Sequence, residues 1–103
     1  MTHEAIIGAS FRFVYSDETY RIDVTSEAQL RWTREIGEQV GQADTESYIF
    51  DQPSDDVILL TWIEADGLGL SNAMNLADGS LITHANQGRE VFQNKGRHTF
   101  EYP

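Results

Sequence analysis

The chain has no cysteine among its 103 residues, so it can build no disulfide framework, no thiolate metal site and no thiol nucleophile. Positive charge is nearly as scarce. Seven Lys plus Arg, with Lys95 the one lysine, stand against 17 Asp plus Glu, for a formal net charge of -10. A surface of that sign repels phosphate backbones and anionic headgroups, which argues against nucleic acid and membrane as partners. No apolar run approaches the roughly 20 residues of a membrane-spanning helix. Met1-Thr2-His3-Glu4 opens without the basic region of a signal peptide. The expectation is a cytoplasmic protein whose acidity serves solubility.

Motifs for the commoner chemistries are also missing. Gly67-Leu68-Gly69 reads as a turn, since no helical pattern follows to make it a phosphate loop. His3, His84 and His98 lie on separate segments with no ligand spacing, so no metal site is expected. Ser10, Ser71 and Ser80 lack the strand-elbow-helix context of a serine nucleophile. Asp55-Asp56 reads as a solvated loop before a strand. Nothing here calls for a cofactor.

What the chain does have is alternation, the period-2 signature of strands. Phe11, Phe13 and Tyr15 share one face, and after the turn material Ser16-Asp17-Glu18-Thr19 so do Tyr20, Ile22 and Val24. A four-residue loop would pair Tyr15 with Tyr20, Phe13 with Ile22 and Phe11 with Val24. Residues 26–40 are ambiguous. Ser26 and Gln29 resemble a helix capping box, whereas Leu30 and Trp32 share a strand face; Gly37 and Gly41 weaken the helix by about 1 kcal/mol each. The strand reading, Leu30 to Arg34 followed by a loop, is preferred. Asp44 to Asp51 forms another strand with Tyr48 and Phe50 on one face, broken by Gln52-Pro53-Ser54.

The central stretch is Val57 to Leu76, two apolar runs around Asp66-Gly67, a strong hairpin signal. A two-residue turn would pair Ala65 with Leu68, setting Glu64 opposite Gly69 and Trp62 opposite Ser71. Glu64 shares its face with Ile58, Leu60 and Trp62. The other face would hold Val57, Leu59, Ile63, Leu70 and Met74, and pattern alone leaves open which face is inside. Asp78-Gly79 turns into a strand Ser80 to His84, and Arg89 to Gln93 and Arg97 to Tyr102 read as two more, separated by Asn94-Lys95-Gly96. Eight or nine short strands on tight turns in one domain, residues 1–103, predict an all-β antiparallel barrel or sandwich, best as a closed or nearly closed meander.

FRFVYSDETYRIDV, then LRW, Gly41, a Tyr-bearing strand, LLTWIEADG and NAMNLADG together resemble the MoaF-like domains and the related phenolic acid decarboxylases. The resemblance covers roughly Gly8 to Thr83. It implies a small lipocalin-like, calycin-type barrel with Glu64 pointing into a cavity. The decarboxylases use two tyrosines on the first strand, an arginine after the third strand, and this glutamate. Tyr15 and Glu64 match two of these; the other tyrosine falls on Phe13, and the arginine falls on Gln42. Losing a phenol and the cation that would grip a carboxylate weighs against that reaction.

Three functions follow as expectations. The first is binding of a small, mostly apolar or aromatic molecule, with Glu64 and Tyr15 as polar anchors and Phe13, Trp32, Gln42, Tyr48 and Trp62 completing the site. The second is a cofactor-free lyase or isomerase in which Glu64 is the general acid or base and Tyr15 orients the substrate. The third is a structural module that forms a homodimer through the apolar outer face of the central hairpin.

Overall fold

The computed structural model describes residues 1–101, so the Tyr102 end of the predicted last strand lies outside the described residues. A one-turn helix α1 (His3–Ile6) precedes eight strands: β1 (Ser10–Val14), β2 (Thr19–Val24), β3 (Gln29–Ile36), β4 (Ala43–Ser54), β5 (Val57–Ile63), β6 (Gly69–Asn75), β7 (Ser80–Gln87) and β8 (Glu90–Glu101). All neighbours pair antiparallel in chain order, and β8 returns to β1, closing the barrel. Closure removes the sheet edges that an open meander would leave unpaired.

The inward rows form the core: Phe11 and Phe13 on β1, Ile22 and Val24 on β2, Leu30 and Trp32 on β3, Ile58, Leu60 and Trp62 on β5. Residues 26–40 therefore resolve as the strand β3 followed by a loop, as the strand reading expected. The outward row of β1 and β2 carries ion pairs instead, with Arg12 bound to Glu35 at 2.8 Å and to Glu101 across the closing seam, and Arg21 bound to Asp23 at 2.9 Å.

Helix α1 blocks one end. Thr2 caps it, its hydroxyl accepting from the Ala5 amide, and Ile6 is fully buried against the core. The His3 ring stacks on Phe50 at 4.6 Å, and its Nε2 lies 2.7 Å from the Tyr48 hydroxyl. That hydroxyl donates to the Ser26 carbonyl at 2.8 Å, so the His3 nitrogen must be the donor to Tyr48.

Several pairings differ from the sequence expectation. The first hairpin turns on Ser16-Asp17 alone, pairing Phe13 with Tyr20 and Phe11 with Ile22. A shift of two keeps every side chain on its face, so the predicted apolar row survives. The central hairpin is shifted by one: Ile63 pairs Gly69, Trp62 pairs Leu70 and Leu60 pairs Asn72. Its loop is three residues long, closed by the Glu64 amide donating to the Leu68 carbonyl and the Gly67 amide to the Glu64 carbonyl. Gly67 supplies the one left-handed conformation there, at φ 90°, the geometry of a type I turn followed by a bulged glycine.

That slip puts Leu70, Asn72 and Met74 inside, opposite Trp62, Leu60 and Ile58, and sends Gly69, Ser71 and Ala73 outward. The predicted outer row of Val57, Leu59, Ile63, Leu70 and Met74 is thereby broken up. Met74 is fully buried, and only Ile63, at 63%, is well exposed.

Strand β4 runs on through Pro53 by a bulge between Asp51 and Ser54. Strand β8 is one strand and not two. Asn94-Lys95-Gly96 is no turn, because a side chain at Gly96 would run into the Val14 carbonyl of β1. Gly96 serves close backbone approach at the seam.

Candidate functional site

At the end away from α1 the barrel keeps a cavity of about 240 Å³, walled by Phe13, Tyr20, Ile22, Trp32, Trp62, Leu68 and Leu70. All but Leu68 come from inward rows of strands. Glu64 enters as the next inward position after Trp62, where β5 passes into its loop. Phe92 on β8 and Leu68 reach the same space from the rim.

Of the residues expected at a site, Phe13, Tyr15, Trp32, Trp62 and Glu64 line this cavity. Gln42 and Tyr48 do not. Gln42 is exposed beyond β3, where its carbonyl accepts from the Arg34 amide at 2.8 Å, and the Tyr48 hydroxyl is held at the α1 end by His3 and Ser26.

The cation missing from the sequence reading is Arg34. It follows Leu30 and Trp32 at the same two-residue spacing, which is the signal that could have found it. One guanidinium nitrogen donates to the Tyr20 hydroxyl and another to the Glu38 carbonyl, both at 2.8 Å, and the group lies 5.1 Å from the Tyr20 ring centre. Its Nε is buried without a partner. Tyr20 in turn donates to Glu18 at 2.9 Å. Burial first, and then the Glu18 carboxylate, raise the Tyr20 phenol above its ordinary range.

Both indoles are held by carboxylates. Trp32 donates to Glu46 at 3.0 Å and Trp62 to Glu64 at 3.3 Å. Burial holds the Glu64 carboxyl above its ordinary range. The Trp62 N–H opposes this, Asp66 and Glu46 add to it, and Arg34 pulls back. Glu64 thus keeps its proton to a higher pH than a surface glutamate.

Tyr15 sits beside a buried polar chain that pattern reading did not reveal. Its hydroxyl lies 2.5 Å from Thr83 Oγ1, which is 2.9 Å from Asn72 Oδ1, while Asn72 Nδ2 donates to the Leu60 carbonyl at 3.2 Å. Asn72 is 1% exposed and Thr83 5%. Burial pushes the Tyr15 phenol up to about 12.

Chemically, the described residues of the cavity offer an aromatic slot, two carboxyls, Glu64 and Glu18, one cation and two phenols. None of the described residues in its wall is a serine, lysine, cysteine or histidine. Among the described residues no cluster of His, Cys, Asp or Glu is arranged to hold a metal ion, and no helix is long and apolar enough to cross a membrane.

Comparison with known proteins agrees with this architecture. The family model for MoaF-like proteins matches residues 7–99. No curated protein matches the sequence. Among solved structures, a crystal structure from Burkholderia vietnamiensis, described as a "putative beta-lactamase", superposes with a TM-score of 0.84, covering 92% of this chain and 94% of that one at 18% identity. At that identity the likeness speaks for the fold alone.

Proposed function

The chain belongs to the MoaF-like family, and we propose that its barrel binds a small, mostly apolar or aromatic molecule between Phe13, Trp32 and Trp62. The observation that supports this is the aromatic-walled cavity with Glu64, Arg34 and Tyr15 converging on it. Apolar walls with a few placed polar groups are the usual make-up of a small-molecule site. The volume of about 240 Å³ equals that of roughly eight liquid waters, below the range of drug-sized sites. A single-ring compound is the size that fits.

Trp32 and Trp62 form the wall, so intrinsic fluorescence reports occupancy directly. Titration with phenols, aromatic alcohols and aromatic acids should give a saturable change with at least one class. The same compound at about a hundred times its Kd should stabilise the fold by roughly 2.7 kcal/mol. A flat fluorescence response and an unmoved thermal midpoint across all three classes would refute the binding reading.

The position of Glu64 favours a second reading, a cofactor-free lyase or isomerase. A half-buried carboxyl holding its proton above the ordinary carboxylate range suits general acid–base work, and Tyr15 and Arg34 line the same space. Glu64→Gln separates the two readings. In a lyase it abolishes turnover while leaving affinity within about tenfold, roughly 1.4 kcal/mol. In a binding protein neither form turns over, and affinity or its pH dependence changes.

A further inference from the structure

The buried polar chain has a direction that heavy-atom positions alone decide. A backbone carbonyl only accepts, so the amide end of Asn72 must face Leu60 and its Oδ1 must face Thr83. Thr83 has one proton, and Asn72 Oδ1 can only accept it. The 2.5 Å contact between Thr83 and Tyr15 still needs a proton between its two oxygens, and only Tyr15 has one left to give. The phenol proton is therefore spent inside the wall, and what Tyr15 offers the cavity is a lone pair.

The other aromatic donors in the wall are spent as well, while Arg34 keeps an unpartnered Nε for another part of a ligand. Both indole N–H groups are given to Glu46 and Glu64, and Tyr20 gives its proton to Glu18. We propose that the Tyr15 position of this site selects ligands carrying a hydrogen-bond donor, a ring hydroxyl or N–H. Tyr15 acts as acceptor, and Thr83 and Asn72 are the positioning residues that fix that polarity. This rests on the binding reading above and names its ligand class. A group that brings only lone pairs to Tyr15, an ether or a carboxylate, meets another acceptor there and pays desolvation with no bond in return.

The test uses two isomers of equal size, 4-ethylphenol and 4-methylanisole, titrated calorimetrically into the protein. The phenol should bind about tenfold tighter than the ether, about 1.4 kcal/mol. Thr83→Val removes the acceptor of the Tyr15 proton and frees that proton for the cavity, so the ether gains and the preference collapses. Tyr15→Phe should also erase the preference, by weakening the phenol and leaving the ether unchanged, and it stands as the check if Thr83→Val fails to fold. Equal affinities in the wild type would overturn the donor rule and leave the binding reading intact, as would a preference that survives both substitutions. If neither isomer saturates the protein, while an aromatic acid does, the donor rule is likewise overturned. If no class of compound binds, the binding reading falls and takes the donor rule with it.

Discussion

Replacing Thr83 by valine should cost the fold about 2 kcal/mol, and the reason lies in which polar atoms are stranded. Valine keeps the shape of threonine but removes a hydroxyl that accepts from Tyr15 and donates to Asn72. Tyr15 can turn its proton into the cavity. The Asn72 Oδ1 cannot follow, because its side chain is 1% exposed and its amide is held by Leu60. An unsatisfied buried acceptor costs about 1–3 kcal/mol. Asn72→Leu strands no proton, because Thr83 can turn its own to Tyr15 and Tyr15 can turn its own into the cavity. It loses only the contact to the Leu60 carbonyl and should cost about 0.5–1.5 kcal/mol. In the double variant no Asn72 acceptor remains to be stranded, so it should cost about as much as Asn72→Leu alone, giving a coupling within the roughly 0.5–3 kcal/mol seen for residues in one network. For a domain near 100 residues each kcal/mol moves the midpoint by about 4–8 °C, so Thr83→Val should melt roughly 8–16 °C early. Urea unfolding of the four proteins of the cycle gives the coupling directly. A Thr83→Val change within about 0.5 kcal/mol of wild type, and additive with Asn72→Leu in the double, would refute the chain of donors.

Three further outcomes follow from the same structure. Glu64 holds its proton above the ordinary carboxylate range when folded, so the folded state binds more protons than the unfolded one and stability falls as pH rises from about 4.3 through the raised midpoint; Glu64→Gln should match wild type in urea midpoint near the bottom of that window and exceed it above. Gly96→Ala, which drives a methyl into the Val14 carbonyl at the closing seam, should cost about 1–3 kcal/mol, whereas Gly69→Ala meets only the movable Asn86 side chain and should be milder in the same denaturant assay. Leu60→Ala, in the core at 0% exposure, should cost about 2–5 kcal/mol, while Ile63→Ala, facing out from the same strand, should stay within about 0.5 kcal/mol; comparable losses at the two positions would contradict the assignment of faces on β5.

The strand pattern was legible because alternation is a local property, and closure of the barrel asks little beyond it. Where pairing mattered, legibility depended on the parity of the error. A two-residue slip in the first hairpin left Phe11, Phe13, Ile22 and Val24 together. A one-residue slip in the second exchanged Ser71 for Asn72 in the wall. Asp66-Gly67 is compatible with a two-residue turn and with a three-residue loop ending in a bulged glycine, and the two differ by that one residue. Asn72 thus could not be read as an inward residue, nor the chain it makes with Thr83 and Tyr15. The split of β8 failed for another reason. Asn94-Lys95-Gly96 has turn composition, but the glycine answers to a strand far away in sequence, at Val14.

The cation of the site is the most instructive case. Alignment by resemblance sought an arginine after the third strand and arrived at Gln42, beyond Gly41, whereas β3 itself extends to Ile36 and carries Arg34 inward at the spacing of Leu30 and Trp32. The loop from Gly37 to Gln42 turns the chain back, so that the Gln42 carbonyl accepts from the Arg34 amide. The residue sought and the residue present are thus backbone partners, yet only one has its side chain in the barrel. With Arg34 in place, the cavity regains a positive group among its acceptors, and the Gln42 substitution no longer argues that the site lacks one. What then distinguishes this chain is Phe13 at the position of a phenol and the commitment of the remaining Tyr15 proton to Thr83. Together they leave the wall without a free phenolic donor at these two positions. An acid bound through two phenolic donors would find neither here, which is why a ligand's own donor should decide how it meets Tyr15.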